Sequence, residues 1–252
     1  MNFMTALNKE FLEQRRTRKF LIALVVLVLF GMTSPLMAKM VPQIMTLVPG
    51  GAVYAGLIPE PTINDAAAQY IKNVTQFGVL LALVFSMGAM AVEKDKGTAA
   101  MILSKPMPRG SFLLAKFTSL ALTFIISVVI AAIAAYYYTY FLFGELNILN
   151  WLALNGLIIL YLLVYVAITL LYSTLTRTQY VAIGLSFGTL IVLGILGGLP
   201  GFGINFPDAL ISNASMLMSG TPITNWTGLW VSAGIILISL TTAWLVFRKQ
   251  EL

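Results

Sequence analysis

The sequence predicts an all-α integral membrane protein with six transmembrane helices. Three observations carry that prediction. Apolar runs long enough to cross a bilayer recur along most of the chain. Charged residues are only 10% of 252, against 59% hydrophobic. Lys and Arg gather in the segments that fall on one side of the implied membrane. A soluble domain carries about 25% charged residues, and so little charge does not cover a water-facing surface. The chain has no Cys and no His, which removes a disulfide framework, thiolate metal sites and the commonest metal ligand and general base. The net charge of +6 is set by where Lys and Arg stand relative to the membrane, and no nucleic-acid partner is expected.

Residues 1–19 are read as an interfacial amphipathic helix. Phe3, Leu7 and Phe11 recur at i, i+4, i+8, with Met4 and Leu12 beside them. That period suits a helix lying apolar face down in the interface. Arg15, Arg16, Arg18 and Lys19 would then sit among lipid headgroups. A charged stretch before an apolar run is also the pattern of a signal peptide. This one is longer and more amphipathic, and no clear cleavage site follows it.

The first span is expected over 20–38, followed by a loop from Lys39 to Pro61 rich in Pro, Gly and small residues. Thr62 or Asn64 can cap a helix that begins near Asp65 and runs unbroken to Val92, its span being 72–92. The next stretch, Glu93–Lys116, is the longest charged interruption. Four consecutive charges, Glu93, Lys94, Asp95 and Lys96, mark where the chain leaves the membrane, since each Asp or Lys at a span's centre costs about 2.5–3.5 kcal/mol. Gly97–Leu103 reads as a short helix stopped by Pro106 and Pro108.

The third span is 112–143, ending in a tyrosine cluster (Tyr136, Tyr137, Tyr138, Tyr140) that fits a membrane–water boundary. The fourth, 151–172, opens on Trp151, and the fifth is 180–198. In 199–225, Pro200, Gly201 and Gly203 break the helix and Ala209–Met218 forms another, too short to span but suited to a re-entrant or surface position. The sixth span is 226–247. One transmembrane domain, 1–252, holds all of these, and no separate soluble domain is seen.

Orientation follows from the basic residues. One side receives Lys9, Arg15, Arg16, Arg18, Lys19, Lys94, Lys96, Lys105, Arg109, Lys116, Arg177, Arg248 and Lys249; the other receives Lys39 and Lys72. Both termini are therefore expected in the cytoplasm, with the chain multi-pass in the cell membrane. Apart from Lys72 and Lys116 near the starts of their ranges, the spans hold no Asp, Glu, Lys or Arg. Carriers driven by protons usually keep an ionisable residue in mid-membrane. No phosphate-binding loop GxxxxGK[ST], metal-ligand set, nucleophile triad or dinucleotide motif is present. No catalytic or metal residue is assigned, and no enzyme activity is expected of this chain.

Glu93–Lys116 resembles the cytoplasmic signature of type-2 ATP-binding-cassette (ABC) permeases, in its acidic–basic run, its Gly-Thr, and the Pro, Arg and Lys that follow. The residues are Glu93, Lys94, Asp95, Gly97, Thr98, Pro106, Arg109 and Lys116. The likeness extends to the interfacial helix, the six spans and the re-entrant extracytoplasmic stretch before the sixth. The runs PTINDAAAQYIKN and ILSKPMPRGSFLLAKF look most like permeases labelled with multi-copper enzyme maturation. The resemblance implies a half-transporter, the membrane subunit of an ATP-driven exporter. A second permease chain, identical or not, and two ABC ATPase subunits would complete it. ATP and Mg would lie on the ATPases and no cofactor on this chain. Within 93–111, Lys96–Ser104 would be a coupling helix seated on the ATPase, and Glu93, Lys94, Asp95, Lys96, Gly97, Thr98, Met101, Ser104, Pro106 and Arg109 its contact and framing residues. The plainer alternative is a loop lying on headgroups, which apolar 99–103 also permits.

Gly184 and Gly188 form a GxxxG at which two helices can approach closely. Met32, Met37, Met40, Met45, Met216 and Met218 carry thioethers that suit Cu(I), although Met more commonly fills gaps in packing. Asn73, Asn213 and Asn225 match the glycosylation sequon, with chance as the default. Two rival functions stand beside the exporter subunit. One is a channel or secondary carrier working alone, for which Asn155, Thr169 and Ser186 are the few polar candidates. The other is a membrane assembly factor that transports nothing.

Overall fold

The structure is a computed structural model describing residues 3–47, 59–98, 108–199 and 203–250. All regular structure among these residues is helical: α1 (Phe3–Arg16), α2 (Lys19–Thr46), α3 (Ile63–Met87), α4 (Ala91–Asp95), α5 (Arg109–Phe143), α6 (Ile148–Leu175), α7 (Gln179–Gly198), a 3₁₀ turn (Gly203–Asn205), α8 (Asp208–Ser219) and α9 (Thr227–Lys249). Six stretches are long and apolar enough to cross a membrane: α2, Ile63–Asp95, α5, α6, α7 and α9. The chain is an all-α integral membrane protein.

α6 is the central post. It packs on α3, α5, α7, α8 and α9, and Leu154, Ile158, Leu162, Tyr165 and Val166 are buried in the main core. A polar chain crosses that core. The Tyr70 hydroxyl donates to Asn155 Oδ1 (2.6 Å), Asn155 Nδ2 to the Trp151 carbonyl (2.8 Å), and Trp151 Nε1 to the Ala132 carbonyl (3.1 Å). The side chains of Tyr70, Asn155 and Trp151 thereby each have a partner, as a low-dielectric interior favours. Thr169 and Ser186 are also buried, on α6 and α7.

Two boundaries depart from the sequence expectation. The first span does not end at Ala38: α2 continues to Thr46, through Pro35 and Pro42. Proline removes one N–H and is tolerated in spans where neighbouring groups re-satisfy the ladder. Here Lys39, expected in a loop, lies on α2 and donates to the Leu142 carbonyl at the end of α5 (3.1 Å), tying the extension to its neighbour. Gly31 lets α2 and α5 close up, since a Cβ there would stand 2.9 Å from the Ala131 carbonyl oxygen. The second helix starts at Ile63, with Thr62 and Asp65 forming a reciprocal capping box. It is not unbroken to Val92. The helix stops at Met87, the chain turns at 88–90, and α4 follows. The break is stabilised from α6, where the Ser173 hydroxyl accepts from the N–H groups of both Met90 and Ala91 (3.0 Å each).

α8 lies within the expected 199–225 stretch and runs back along the first half of α6. Its first residue, Asp208, accepts from the hydroxyl of Tyr161, at the midpoint of α6. Near its far end the Leu217 carbonyl accepts from Asn150 Nδ2 (2.9 Å). Gly220, at φ +70°, closes α8 in the left-handed conformation that glycine adopts without penalty. The side-chain amides of Asn73 and Asn213 are engaged internally, with Ser34 Oγ and the Asn225 carbonyl.

Candidate functional site

The segment singled out by sequence leaves and re-enters the bundle at two anchored roots. The first is Glu93–Thr98, and the second is Pro108–Gly110. Met101, Ser104 and Pro106 lie outside the described residues, as does most of 96–104.

The first root is built on a buried charge cluster. Glu93, 8% exposed, sits on α4 with its carboxylate facing inward. Its Oε1 lies 2.6 Å from the Lys9 ammonium of α1 and 2.9 Å from that of Lys116 on α5. Lys116 is 1% exposed and also holds Glu10 of α1, at 3.1 and 3.2 Å. Lys9 reaches Glu10 (3.0 Å) and Glu13 (3.6 Å) as well. Burial alone would lower the pKa of Lys9; the Glu10 and Glu93 carboxylates outweigh it and raise the value above the ordinary lysine range. Both ammoniums lie near the Phe112 ring, at 5.7 and 5.0 Å, and that ring stacks on Phe247 of α9. Deeper in, Gln14 donates to Ser119 Oγ (2.9 Å) and accepts from the Thr123 hydroxyl. Three acidic side chains, Glu10, Glu13 and Glu93, converge here, but Lys9 and Lys116 already fill the space between them. This is an ion-pair network between helices, not a vacant metal site.

α1 therefore has two committed faces. Ala6, Glu10 and Gln14, one turn apart, are buried against α5. Phe3, Met4 and Leu12 are exposed on the other side, with Leu7 and Phe11 half-buried between. The amphipathic period was legible in sequence. The buried polar stripe was not, because Glu10 and Gln14 look like a solvated face until their partners on α5 are known. Lys116 within an apolar helix was the available signal.

The remaining anchors are carbonyl grips. Lys94 donates to the Thr174 carbonyl of α6 (2.5 Å), which also accepts from Gln250 Nε2 (3.0 Å). Arg109, at the start of α5, donates to the carbonyls of Phe247, Arg248 and Gln250 (2.8, 3.0 and 2.7 Å). The orphan carbonyls at the end of α9 are thus satisfied by a cation, the favourable sign for a helix C-terminus. Asp95, Lys96 and Gly97 are exposed. Gly97, at φ +67°, ends α4's turn in the left-handed region with nothing within 4 Å of a would-be Cβ, and the Thr98 hydroxyl donates back to the Glu93 carbonyl (3.2 Å).

Sequence reasoning grouped Glu93, Lys94 and Arg109 as framing residues, and the fold gives each a different helix to hold. Glu93 holds α1 and α5, Lys94 holds α6, and Arg109 holds α9. What Glu93 offers beyond the bundle is position, since its charge is consumed internally. Arg15 and Arg16 are exposed at the end of α1. Gly184 and Gly188 lie on the open face of α7, with no atom within 4 Å of a Cβ at either. α7 buries only Ala182 and Ser186.

Comparison with known proteins agrees with this architecture. Over 255 residues the chain is 25% identical to the transmembrane protein YxlG of Bacillus subtilis (strain 168), covering 98% of each. The model of the family described as "ABC-2 family transporter protein" matches residues 4–252. With a family match across nearly its whole length and six membrane-crossing helices, the chain belongs to the ABC-2 transporter family as a membrane component.

Proposed function

We propose that this chain is the permease subunit of an ATP-driven exporter. Two permease chains enclose the pathway, with the open face of α7 and its Gly184–Gly188 pair available to the second copy. Two separate ATPase subunits, carrying ATP and Mg²⁺, dock from the cytoplasm on 93–111. Both chain termini face that side, in keeping with the thirteen basic residues that gather there.

The observation that carries the reading is the anchoring of both roots of the segment. A displacement of 96–108 is passed through Glu93 to α1 and α5, through Lys94 to α6, and through Arg109 to α9. Buried ion pairs and multidentate carbonyl grips are short and directional, so little motion is lost in side-chain rearrangement. A loop that merely lay on headgroups would have no need of four different helices at its base. Among the described residues of the segment, Asp95 and Lys96 are exposed charges that can meet a partner.

The test is copurification and turnover. The tagged chain is isolated from its native membranes, the accompanying ABC ATPase is identified by mass spectrometry, and ATP hydrolysis of the complex is measured. Replacing Asp95, Lys96 and Gly97 together is expected to remove the ATPase while the chain still inserts. Unchanged association and turnover would overturn the docking assignment.

A further inference from the structure

Asp208 is unusual for an acid at a helix start. It lies in the first turn of α8, after Pro207 at the N-cap, and its carboxylate is engaged by another helix. The Tyr161 hydroxyl donates to its Oδ1 (3.1 Å). Its Oδ2 lies over the backbone of Gly197, where any Cβ would collide with it. Among the described residues, no Lys or Arg comes within ion-pair distance of this carboxylate. Among the described residues it is a half-buried carboxylate drawn in beside the central turns of a membrane-crossing helix, with one hydrogen bond and no counter-cation. An ionisable group in such a place marks a functional site by default.

The carboxylate opens into a cavity of about 510 Å³ between α3, α6, α7 and α8, within the range of about 300–1,000 Å³ typical of ligand pockets. Ile71, Val79, Leu80, Leu190 and Ile211 supply apolar wall. The titratable groups facing the cavity are Asp208 on α8, Tyr161 and Tyr165 on α6, and Lys72 on α3; α7 brings none. Lys72 is exposed and also lines the neighbouring hollow that holds Asp65, so its ammonium can turn out of the cavity. Asp208 has no such freedom, being held between Tyr161 and Gly197.

We propose that this cavity binds lipophilic organic cations, with the apolar body against α3 and α7 and the positive group paired with the Asp208 carboxylate that Tyr161 holds in place. A neutral apolar guest would leave the carboxylate desolvated and unpaired, which is costly. A lipophilic anion would face it directly. Binding belongs to the permease chain by itself, so it stands or falls independently of ATPase docking.

The experiment is equilibrium dialysis of the detergent-purified chain with tetraphenylphosphonium and, in separate samples, with tetraphenylborate, an ion of similar shape and opposite charge. Saturable phosphonium binding is expected, and no saturable tetraphenylborate binding. Asp208→Asn should weaken phosphonium binding about tenfold or more, as loss of one partner of a desolvated charge pair does. Tyr161→Phe should weaken it less, and Lys72→Gln, which removes a like charge from the cavity wall, should tighten it. The proposal is overturned by absence of saturable phosphonium binding, by equally tight binding of tetraphenylborate, by unchanged binding in Asp208→Asn, or by loss in Lys72→Gln. If Asp208→Asn does not give a monodisperse protein, the two ions on the unaltered chain still decide the matter.

Discussion

The Lys116 ammonium stands 2.9 Å from the Glu93 carboxylate, with both side chains buried where α1, α4 and α5 meet. Removing one member of such a pair costs about 3–5 kcal/mol, because the remaining charge is stranded without water. Lys116→Met is therefore expected to lower stability by up to that amount, with Lys9 left as the remaining cation on Glu10 and Glu93. Neutralising the buried members (Glu10→Gln and Glu93→Gln with Lys116→Met) should recover most of the loss. Denaturant unfolding in detergent reads both. If the triple variant were no more stable than the single one, the cluster would be acting through shape rather than charge.

Arg109 clamps the end of α9 through three carbonyls. Hydrogen bonds to a charged group contribute about 1.5–3 kcal/mol each when buried, and less at a half-exposed site like this one. Arg109→Ala should fray the last turn of α9, where Arg248 and Lys249 are already exposed. Limited trypsin digestion, followed through a C-terminal tag, is expected to remove the tag faster in the variant. Arg109→Lys should fall between the two, since a point ammonium does not span three acceptors as a planar fork does.

The parts of the fold legible in the sequence are those set by solvent. Spans such as Ile148–Leu175 announce themselves by length and apolarity, and Thr62 with Asp65 announces a helix start. The parts that were not legible are set by partners distant in the chain. Ser173 breaks the second helix at 88–90 from 82 and 83 residues away. A loop was expected from Lys39, with Pro42 in it, but α2 continues to Thr46 because Lys39 and α5 hold it. Glu10 reads as surface and becomes core only because Lys116 is 106 positions further on. Asp208 sits in a stretch whose short helix was expected, yet nothing in its local sequence predicts Tyr161 as its partner.

Gly97 adopts a backbone conformation that costs an L-residue about 1–2 kcal/mol, in open space. Gly97→Val should therefore leave the bundle folded and redirect the chain beyond residue 98. Gly97→Asn should be milder, because Asn visits this region readily. If the exporter reading holds, the Val variant loses ATPase association while the Asn variant retains most of it. Copurification measured alongside thermal stability separates this from unfolding.

Asp208 also sets a pH dependence for cation binding. Burial raises its pKa above the ordinary Asp value, and the bond from Tyr161 partly opposes that rise. Protonation removes the charge that pairs with a cation, so phosphonium binding should fall as the pH drops. The fall should come at higher pH than an ordinary aspartate would give. In Tyr161→Phe the opposing hydrogen bond is gone, so the carboxyl is protonated more readily still and the acid limb moves further up. Lys72 lines both this cavity and the neighbouring hollow, where its side chain has room to turn, and Lys72→Gln is expected to leave the limb in place. The measurement is phosphonium affinity against pH for the unaltered chain, Tyr161→Phe and Lys72→Gln. A Tyr161→Phe limb displaced to lower pH would mean that the hydroxyl does not stabilise the ionised carboxylate.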